Sequence, residues 1–360
     1  MEYNAYRNIE VSLLHTDYID LGAISEVERE YAMEEAGEII RRGGLVAFPT
    51  ETVYGLGADG MNPDACARIY EAKGRPSDNP LILHIVDMKQ VDEIAREVSP
   101  DARKIMEEFW PGPLTVILPK KETVPSRATG GLDTVAIRMP SHPDAREFIR
   151  KSRRIIAAPS ANVSGKPSPT LAEHVYEDMK GRIPMILDGG AVGIGIESTI
   201  VDMTGDCPVI LRPGYISKED IADVIGQAQL DPAIAGRERK EGIVAKAPGM
   251  KYRHYAPKGQ MILVEGRTEN VIRKINELTQ NKQTQGYRVG IIATDDTLGQ
   301  YPTGIIKSIG SREHTETVAA NLYRVLREMD EAGTDYIYSE SFFTEPMGDA
   351  IMNRMLKAAG

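Results

Sequence analysis

The sequence predicts an α/β protein in two units, a large first domain on a mixed sheet and a smaller second one. Three observations carry this. Short apolar runs alternate with helix-like segments from residue 25 to about 226, the alternation lapses over 227–259, and it restarts at Met261. At 360 residues the chain exceeds one typical domain. The late strands expected at 199–203 and 209–212 lie adjacent, which points to a mixed sheet rather than a wholly parallel one. The expected boundaries are an N-terminal arm at 1–24, a first domain at 25–226, a basic linker at 227–259 and a C-terminal α/β domain at 260–360.

Each element has its own signal. Residues 1–24 are mixed and read as a strand or arm. Ser25-x-x-Glu28 is a capping box, ahead of a helix whose apolar side carries Val27, Tyr31, Ala32, Ile39 and Ile40. Gly43-Gly44 ends it. Leu45 to Phe48 is an apolar run stopped by Pro49, which has no N–H for a ladder. After the polar turn Thr50-Glu51-Thr52, Gly55 and Gly57 suit a close backbone approach. Asn62-Pro63 opens a helix with a capping side chain and a proline at its first position. Gly74 closes it, between Lys73 and Arg75. Leu81 to Val86 is the next strand, with His84 on the face opposite Leu83 and Ile85. Helix-like stretches at 88–98 and 101–109 follow. Strands are expected at 114–118, 134–139, 155–158 and 185–188, with helices at 143–151 and 170–179. The second unit reads as strand 261–265, helix 268–280, strand 288–293, helix 315–332, strand 336–339 and helix 348–358.

Charge and cysteine content narrow the function. A net charge of −10 argues against a general nucleic-acid or membrane-surface binder. From Asp231 to Lys258, however, seven Lys/Arg stand against three Asp/Glu, a local excess of +4 that suits a local anionic partner. The two cysteines, Cys66 and Cys207, form neither a disulfide framework nor a Cys/His cluster, so a cytoplasmic protein without a zinc site is expected. The start of the chain, with Glu2, Glu10 and Asp17, is unlike a signal peptide. No apolar run is long enough to span a bilayer, so no membrane partner is expected.

The polar clusters allow more than one reading by themselves. No P-loop or dinucleotide fingerprint is present, and Gly55-Leu56-Gly57 alone marks only a tight turn. Lys73 and Arg75 could balance a helix C-terminus, but with Ser77 and Asn79 they suit an oxyanion. Ser160, Asn162, Ser164 and Ser168 form either a plain polar loop or a binding loop. A-P-S-A-N is not a nucleophile elbow. Arg138 in an apolar strand needs an anionic partner, either a structural one such as Glu197 or a substrate carboxylate. His84 could be a satisfied core histidine.

Taken in order, P-T-E-T-V-Y-G-L-G, K-G-R-P-S-D-N-P-L-I-L-H-I, W-P-G-P-L-T, V-A-I-R-M-P, A-P-S-A-N-V-S-G, E-S-T-I-V-D and L-R-P-G resemble the YrdC-type threonylcarbamoyl-AMP synthases over about residues 30–225. P-G-M-K-Y-R-H-Y-A-P at 248–257, with its α/β tail, is similar to their long two-domain form. The resemblance implies a YrdC-like twisted mixed sheet with helices, followed by a smaller Rossmann-like α/β domain. It implies a nucleotidyltransferase that turns L-threonine, bicarbonate and ATP into L-threonylcarbamoyl-adenylate and pyrophosphate, for threonylcarbamoyladenosine formation in tRNA by downstream transfer machinery. Carried over by position, the threonine side falls on Thr52, His84, Arg138, the backbone of Ala158, and Ser198. The ATP side falls on Arg75, Asn79, Thr134, Ser160, Asn162, Ser168 and Arg212, with Lys73 and Arg75 as the catalytic cations. Mg²⁺ is expected with the nucleotide, without a nameable protein ligand. Segment 248–257 is expected to fold over the pocket mouth, Tyr252 or Arg253 reaching the nucleotide. Two alternatives remain: an RNA-binding module, with direct tRNA contact left open, and a related carbamoyl-transfer enzyme of hydrogenase maturation. The latter usually carries cysteine pairs that this chain lacks. Residues 260–360 show no cluster resembling a catalytic site, so a regulatory, docking or dimerisation role is expected for them.

Overall fold

Two sheets organise the computed structural model, which describes residues 14–232, 234, 254–342 and 347–360. The strands of the first are β1 (Asp17–Asp20), β2 (Val46–Phe48), β3 (Gly55–Asp59), β4 (Ile82–His84), β5 (Leu114–Pro119), β6 (Thr134–Arg138), β7 (Ile156–Ala158), β8 (Met185–Asp188), β9 (Thr199–Asp202), β10 (Val209–Arg212) and β11 (Gln229–Leu230). Their spatial order is β1-β8-β2-β3-β7-β4-β6-β5-β9-β10-β11. Five neighbouring pairs run parallel and five antiparallel, so the sheet is mixed as expected. The accompanying helices are α1 (Glu26–Arg41), α2 (Pro63–Lys73), α3 (Lys89–Ile94), α4 (Pro100–Phe109), α5 (Ser126–Thr129), α6 (Pro143–Ser152), α7 (Ala172–Met179) and α8 (Lys218–Ile225).

Local chemistry sets the helix ends. Ser25 and Glu28 form the reciprocal capping box of α1. Asn62 accepts from the N–H groups of Asp64 and Ala65, Pro63 opens α2, and Gly74 closes it in the left-handed region at φ 62°. The buried face of α1 is only partly the expected one, since Ala32 and Ile40 lie on it and Val27 and Tyr31 do not. Val27 and Tyr31 are 66% and 73% exposed, whereas Ala32, Met33, Ala36, Gly37 and Ile40 are buried. A close approach of α6 is the reason: a Cβ on Gly37 would lie 2.7 Å from the Lys151 carbonyl oxygen. That contact turns the glycine face inward.

β3 is a further departure from expectation. G-L-G-A-D has the composition of a turn, yet it pairs antiparallel with β2, Gly55 opposite Phe48. The glycines leave room for the Phe48 ring, 3.0 Å and 3.1 Å from where their Cβ atoms would be. β1 and α8 likewise had no clear sequence signal. The helix expected over 88–98 stops at Ile94, because extended Ala95 forms a bridge to Lys120.

The second unit is built from β12 (Gln260–Val264), α9 (Thr268–Thr284), β13 (Val289–Ala293), β14 (Ile305–Ser308), α10 (Thr315–Glu331), β15 (Tyr336–Glu340) and α11 (Gly348–Ala359). Its four strands are all parallel, in the order β12-β15-β13-β14. The core of this unit is not self-contained. Val53 and Ile196 from the first unit, and Tyr255 between the units, are buried in it beside Leu322, Tyr323 and Met355.

Candidate active site

Strand ends gather the polar residues. β4 and β6 run parallel with His84 opposite Arg138, and β7 brings Ala158 opposite Ile82. The turn between β2 and β3 supplies Thr50 and Val53, and the loop after β7 supplies Ser160, Asn162 and Ser164. Together with Lys73, Arg75, Ser168, Glu197, Arg212, His254 and Tyr255 they line one open cavity.

One end is centred on Arg138. Its Nη2 lies 2.7 Å from Glu51 Oε1. The pair is close but poorly aligned: both Glu51 oxygens and the Nε and Nη2 of Arg138 lack hydrogen-bond partners. Burial pushes the Glu51 carboxyl up, but the charge of Arg138 outweighs that and holds it below the usual range. Arg138 thus has the anionic partner its strand position demands, and that partner is Glu51. Glu197, the structural alternative, is held by Arg354 instead. His84 Nδ1 sits 3.0 Å from the Ile82 carbonyl oxygen. Burial, with the neighbouring Arg138 charge, pushes its pKa down to about 3, so the imidazole is neutral. Thr52 and Ser198 stand one layer behind the wall. The Thr52 hydroxyl is 3.0 Å from Thr50 Oγ1, and Ser198 Oγ is 2.7 Å from Thr115 Oγ1.

The other end is cationic. Arg75 Nη2 donates to the carbonyls of Asn79 and Pro80, at 3.3 Å and 3.1 Å, while its Nε has no partner. Burial lowers its pKa to about 10, which leaves it charged. Arg212 donates through Nε to the Ser198 carbonyl and through Nη2 to Ser198 Oγ. Lys73 Nζ donates to the carbonyls of Ser160 and Asn162, tying α2 to the loop. Burial, and then Arg75, pushes its pKa well below the usual lysine range. The Ser160 hydroxyl donates to Asn162 Oδ1 rather than to a base.

Asn79 and Thr134 are not on this wall. Asn79 offers its carbonyl to Arg75 and keeps a buried Oδ1 without a partner, and Thr134 sits at the start of β6 opposite Pro119. Tyr252 and Arg253 lie outside the described residues. The sequence gives Glu51 no role beyond its polar turn, and it gives His254 and Tyr255 none beyond membership of segment 248–257. Both now line the cavity, with Tyr255 at φ 64° and the Ala256 N–H donating to the Gly165 carbonyl at 3.0 Å.

Among the described residues no group of three or more His, Cys, Asp or Glu is placed to hold a metal. The pocket carboxylate Glu197 faces Arg354, and Glu51, beside the pocket, faces Arg138. This donor set does not fit a divalent ion held by the protein itself.

The fold and site define a two-unit α/β protein with a cationic cavity at its strand ends. A family model described as "Telomere recombination" matches residues 38–214, and one described as "Threonylcarbamoyl-AMP synthase, C-terminal domain" matches 216–360. The threonylcarbamoyl-AMP synthase of Pyrococcus abyssi is 49% identical over 337 residues, which is 94% of this chain and 96% of that protein. The Bacillus subtilis protein of the same name is 51% identical over 327 residues, 91% and 92% of the two chains. A crystal structure of P. abyssi Sua5 complexed with L-threonine superposes with a TM-score of 0.88 at 47% identity, over 96% of this chain and 97% of that one. This chain belongs to the threonylcarbamoyl-AMP synthase family, in its two-domain form.

Proposed function

We propose that this cavity joins L-threonine, bicarbonate and ATP into L-threonylcarbamoyl-adenylate with release of pyrophosphate, supplying the threonylcarbamoyladenosine modification of tRNA. One observation carries the reading: a single cavity is lined by Arg138, Arg75 and Arg212 together with the hydroxyls of Thr50, Ser160, Ser164 and Ser168. The names of the relatives, and the P. abyssi complex with L-threonine, support it.

The threonine amine and bicarbonate condense to a carbamate with loss of water. A carbamate oxygen then bonds to the α-phosphorus of ATP as the bond to pyrophosphate breaks. Negative charge enters, spreads and leaves, so positioned cations supply the catalysis without a covalent intermediate. Arg138 holds the threonine carboxylate as a bidentate pair, with neutral His84 and the Ala158 backbone near the amine and Thr52 and Ser198 behind. Arg75 and Arg212 face the phosphates, and Ser160, Asn162 and Ser168 line the nucleotide. Lys73 fixes the loop that carries them. Asn79 and Thr134 act from behind Arg75 and β6, and Tyr252 belongs to the segment leading into His254. Mg²⁺ arrives on the phosphates of ATP, and no step is assigned to it. The adenylate is consumed by a transfer step on tRNA in the cytoplasm.

The test is pyrophosphate release by the purified protein. It is expected only when ATP, L-threonine and bicarbonate are all present. Equal release without threonine overturns the proposal.

A further inference from the structure

Glu197 belongs to the first unit and lines the cavity, yet the second unit holds it. Its Oε1 accepts from Ser168 Oγ at 2.6 Å and from the Tyr323 hydroxyl at 3.0 Å. Its Oε2 lies 2.9 Å from the same Tyr323 hydroxyl and accepts from Arg354 Nε at 3.1 Å. Tyr323 is on α10 and Arg354 on α11. Arg354, fully buried, also donates to the carbonyls of Glu197 and Pro213. One residue before Ser168, the Pro167 carbonyl accepts from Arg327 Nη2 at 2.6 Å, and Arg327 pairs with Asp178.

The backbone leaves no slack in this contact. Gly195 sits at φ 84°, and a Cβ there would be 2.4 Å from Ala320 Cα on α10. Ile196 is fully buried in the core of the second unit. The loop presenting Glu197 is therefore seated directly on α10.

A free carboxylate on this wall would repel a polyanion. Burial raises the Glu197 carboxyl, but the charges of Arg354 and Arg212 and the Ser168 hydrogen bond outweigh it and bring its pKa to about 2. Arg354 therefore matches a permanent negative charge with a positive one. The Ser168 hydrogen is committed to Glu197. What Ser168 turns toward the cavity is lone pairs, which suit a sugar hydroxyl or a base amine and not a phosphate oxygen.

We infer that Tyr323 and Arg354 are positioning residues of the nucleotide end, fixing Glu197 so that Ser168 meets the nucleotide as an acceptor. This rests on ATP being the ligand there. Tyr323→Phe keeps the ring packed 5.1 Å from Tyr255 and deletes one hydroxyl. It should weaken ATP about tenfold by calorimetry, with threonine affinity unchanged. In a Ser168→Ala background the same substitution should have little further effect on ATP. Arg354→Met should weaken ATP more, with partial recovery in Arg354→Lys. If the Arg354 variants do not fold, the Ser168–Tyr323 cycle decides alone. Unchanged ATP affinity in Tyr323→Phe, equal losses for both ligands, or additivity with Ser168→Ala overturns the inference. A wild-type protein that binds ATP but releases no threonine-dependent pyrophosphate would instead sink the proposed reaction.

Discussion

The two ends of the pocket hold their cations in opposite ways. At one, Arg138 already faces a carboxylate, Glu51, at 2.7 Å. At the other, Arg75 and Arg212 donate only to neutral oxygens, and the carboxylate there, Glu197, is taken by Arg354. An incoming carboxylate at the first end must exchange with a preformed pair. An incoming polyanion at the second meets guanidiniums hydrogen-bonded to carbonyl and hydroxyl oxygens. The difference teaches that a buried arginine can be stabilised for selectivity or for strength. A paired cation favours a ligand whose geometry beats its partner's; a dipole-held one attracts any dense anion.

The largest effect should follow from emptying the dipole-held end. Arg75→Ala removes one of the two guanidiniums there, a loss of ~2–5 kcal/mol for a charged hydrogen-bonding partner. ATP affinity or adenylation should fall by about 30-fold to several thousandfold, with threonine affinity unchanged. Calorimetric titration of each ligand separates the outcomes. A matching loss of threonine affinity would show that the two ends are one site and break the comparison.

The paired end offers a sharper contrast, because its two members should move threonine in opposite directions. Arg138→Ala removes the proposed carboxylate partner and should weaken threonine by ~2–5 kcal/mol. Glu51→Gln removes the competitor, so threonine should bind more tightly. The same change leaves Arg138 buried without its counter-charge, which typically costs ~3–5 kcal/mol, so the unliganded protein should melt at a lower temperature. A thermal-shift series with and without threonine reads both at once. Weaker threonine binding in Glu51→Gln would mean that the pair orients the ligand rather than competing with it.

How much of this was legible follows from the range of the contacts. The capping box at Ser25, the Asn62-Pro63 start and the Gly74 stop are decided within four residues, and the sequence states them openly. The cluster of Lys73, Arg75, Ser160, Ser168, Arg138 and His84 was open to plain structural readings by itself, and the resemblance of its motifs decided it, in keeping with the tendency of strand ends to collect such residues. β3 was not, since its glycines answer to Phe48, a neighbour only after pairing. Glu51 as the partner of Arg138 depends on bringing a turn beside a distant strand. Tyr323, Arg327 and Arg354 carry no local signal of any kind. They are ordinary helix residues whose meaning arises only when α10 and α11 pack on the loop before Glu197, which no periodicity records.

The smallest effect concerns protons, and it asks whether the two ends share one property despite their different charge. Each contains a buried neutral histidine, His84 beside Arg138 and His254 beside Arg75, both with pKa values pushed to about 3, chiefly by burial. The sign is fixed by linkage. Their folded pKa values lie below the unfolded value of about 6.5, so the unfolded chain binds more protons and stability is lost as pH falls below that value. Each histidine steepens the loss toward ~1.4 kcal/mol per pH unit. Glu51 and Glu197, held below their ordinary values, act only further down, where the unfolded carboxyls begin to protonate. Between about pH 5 and 6.5 the imidazoles therefore act without those two carboxylates. Denaturant unfolding across it should be less pH-dependent in His84→Gln and in His254→Gln than in the wild type, by similar amounts. A wild-type slope in His84→Gln alone would mean that the Arg138 end admits water and a proton, and the two ends would then differ in hydration as well as in pairing.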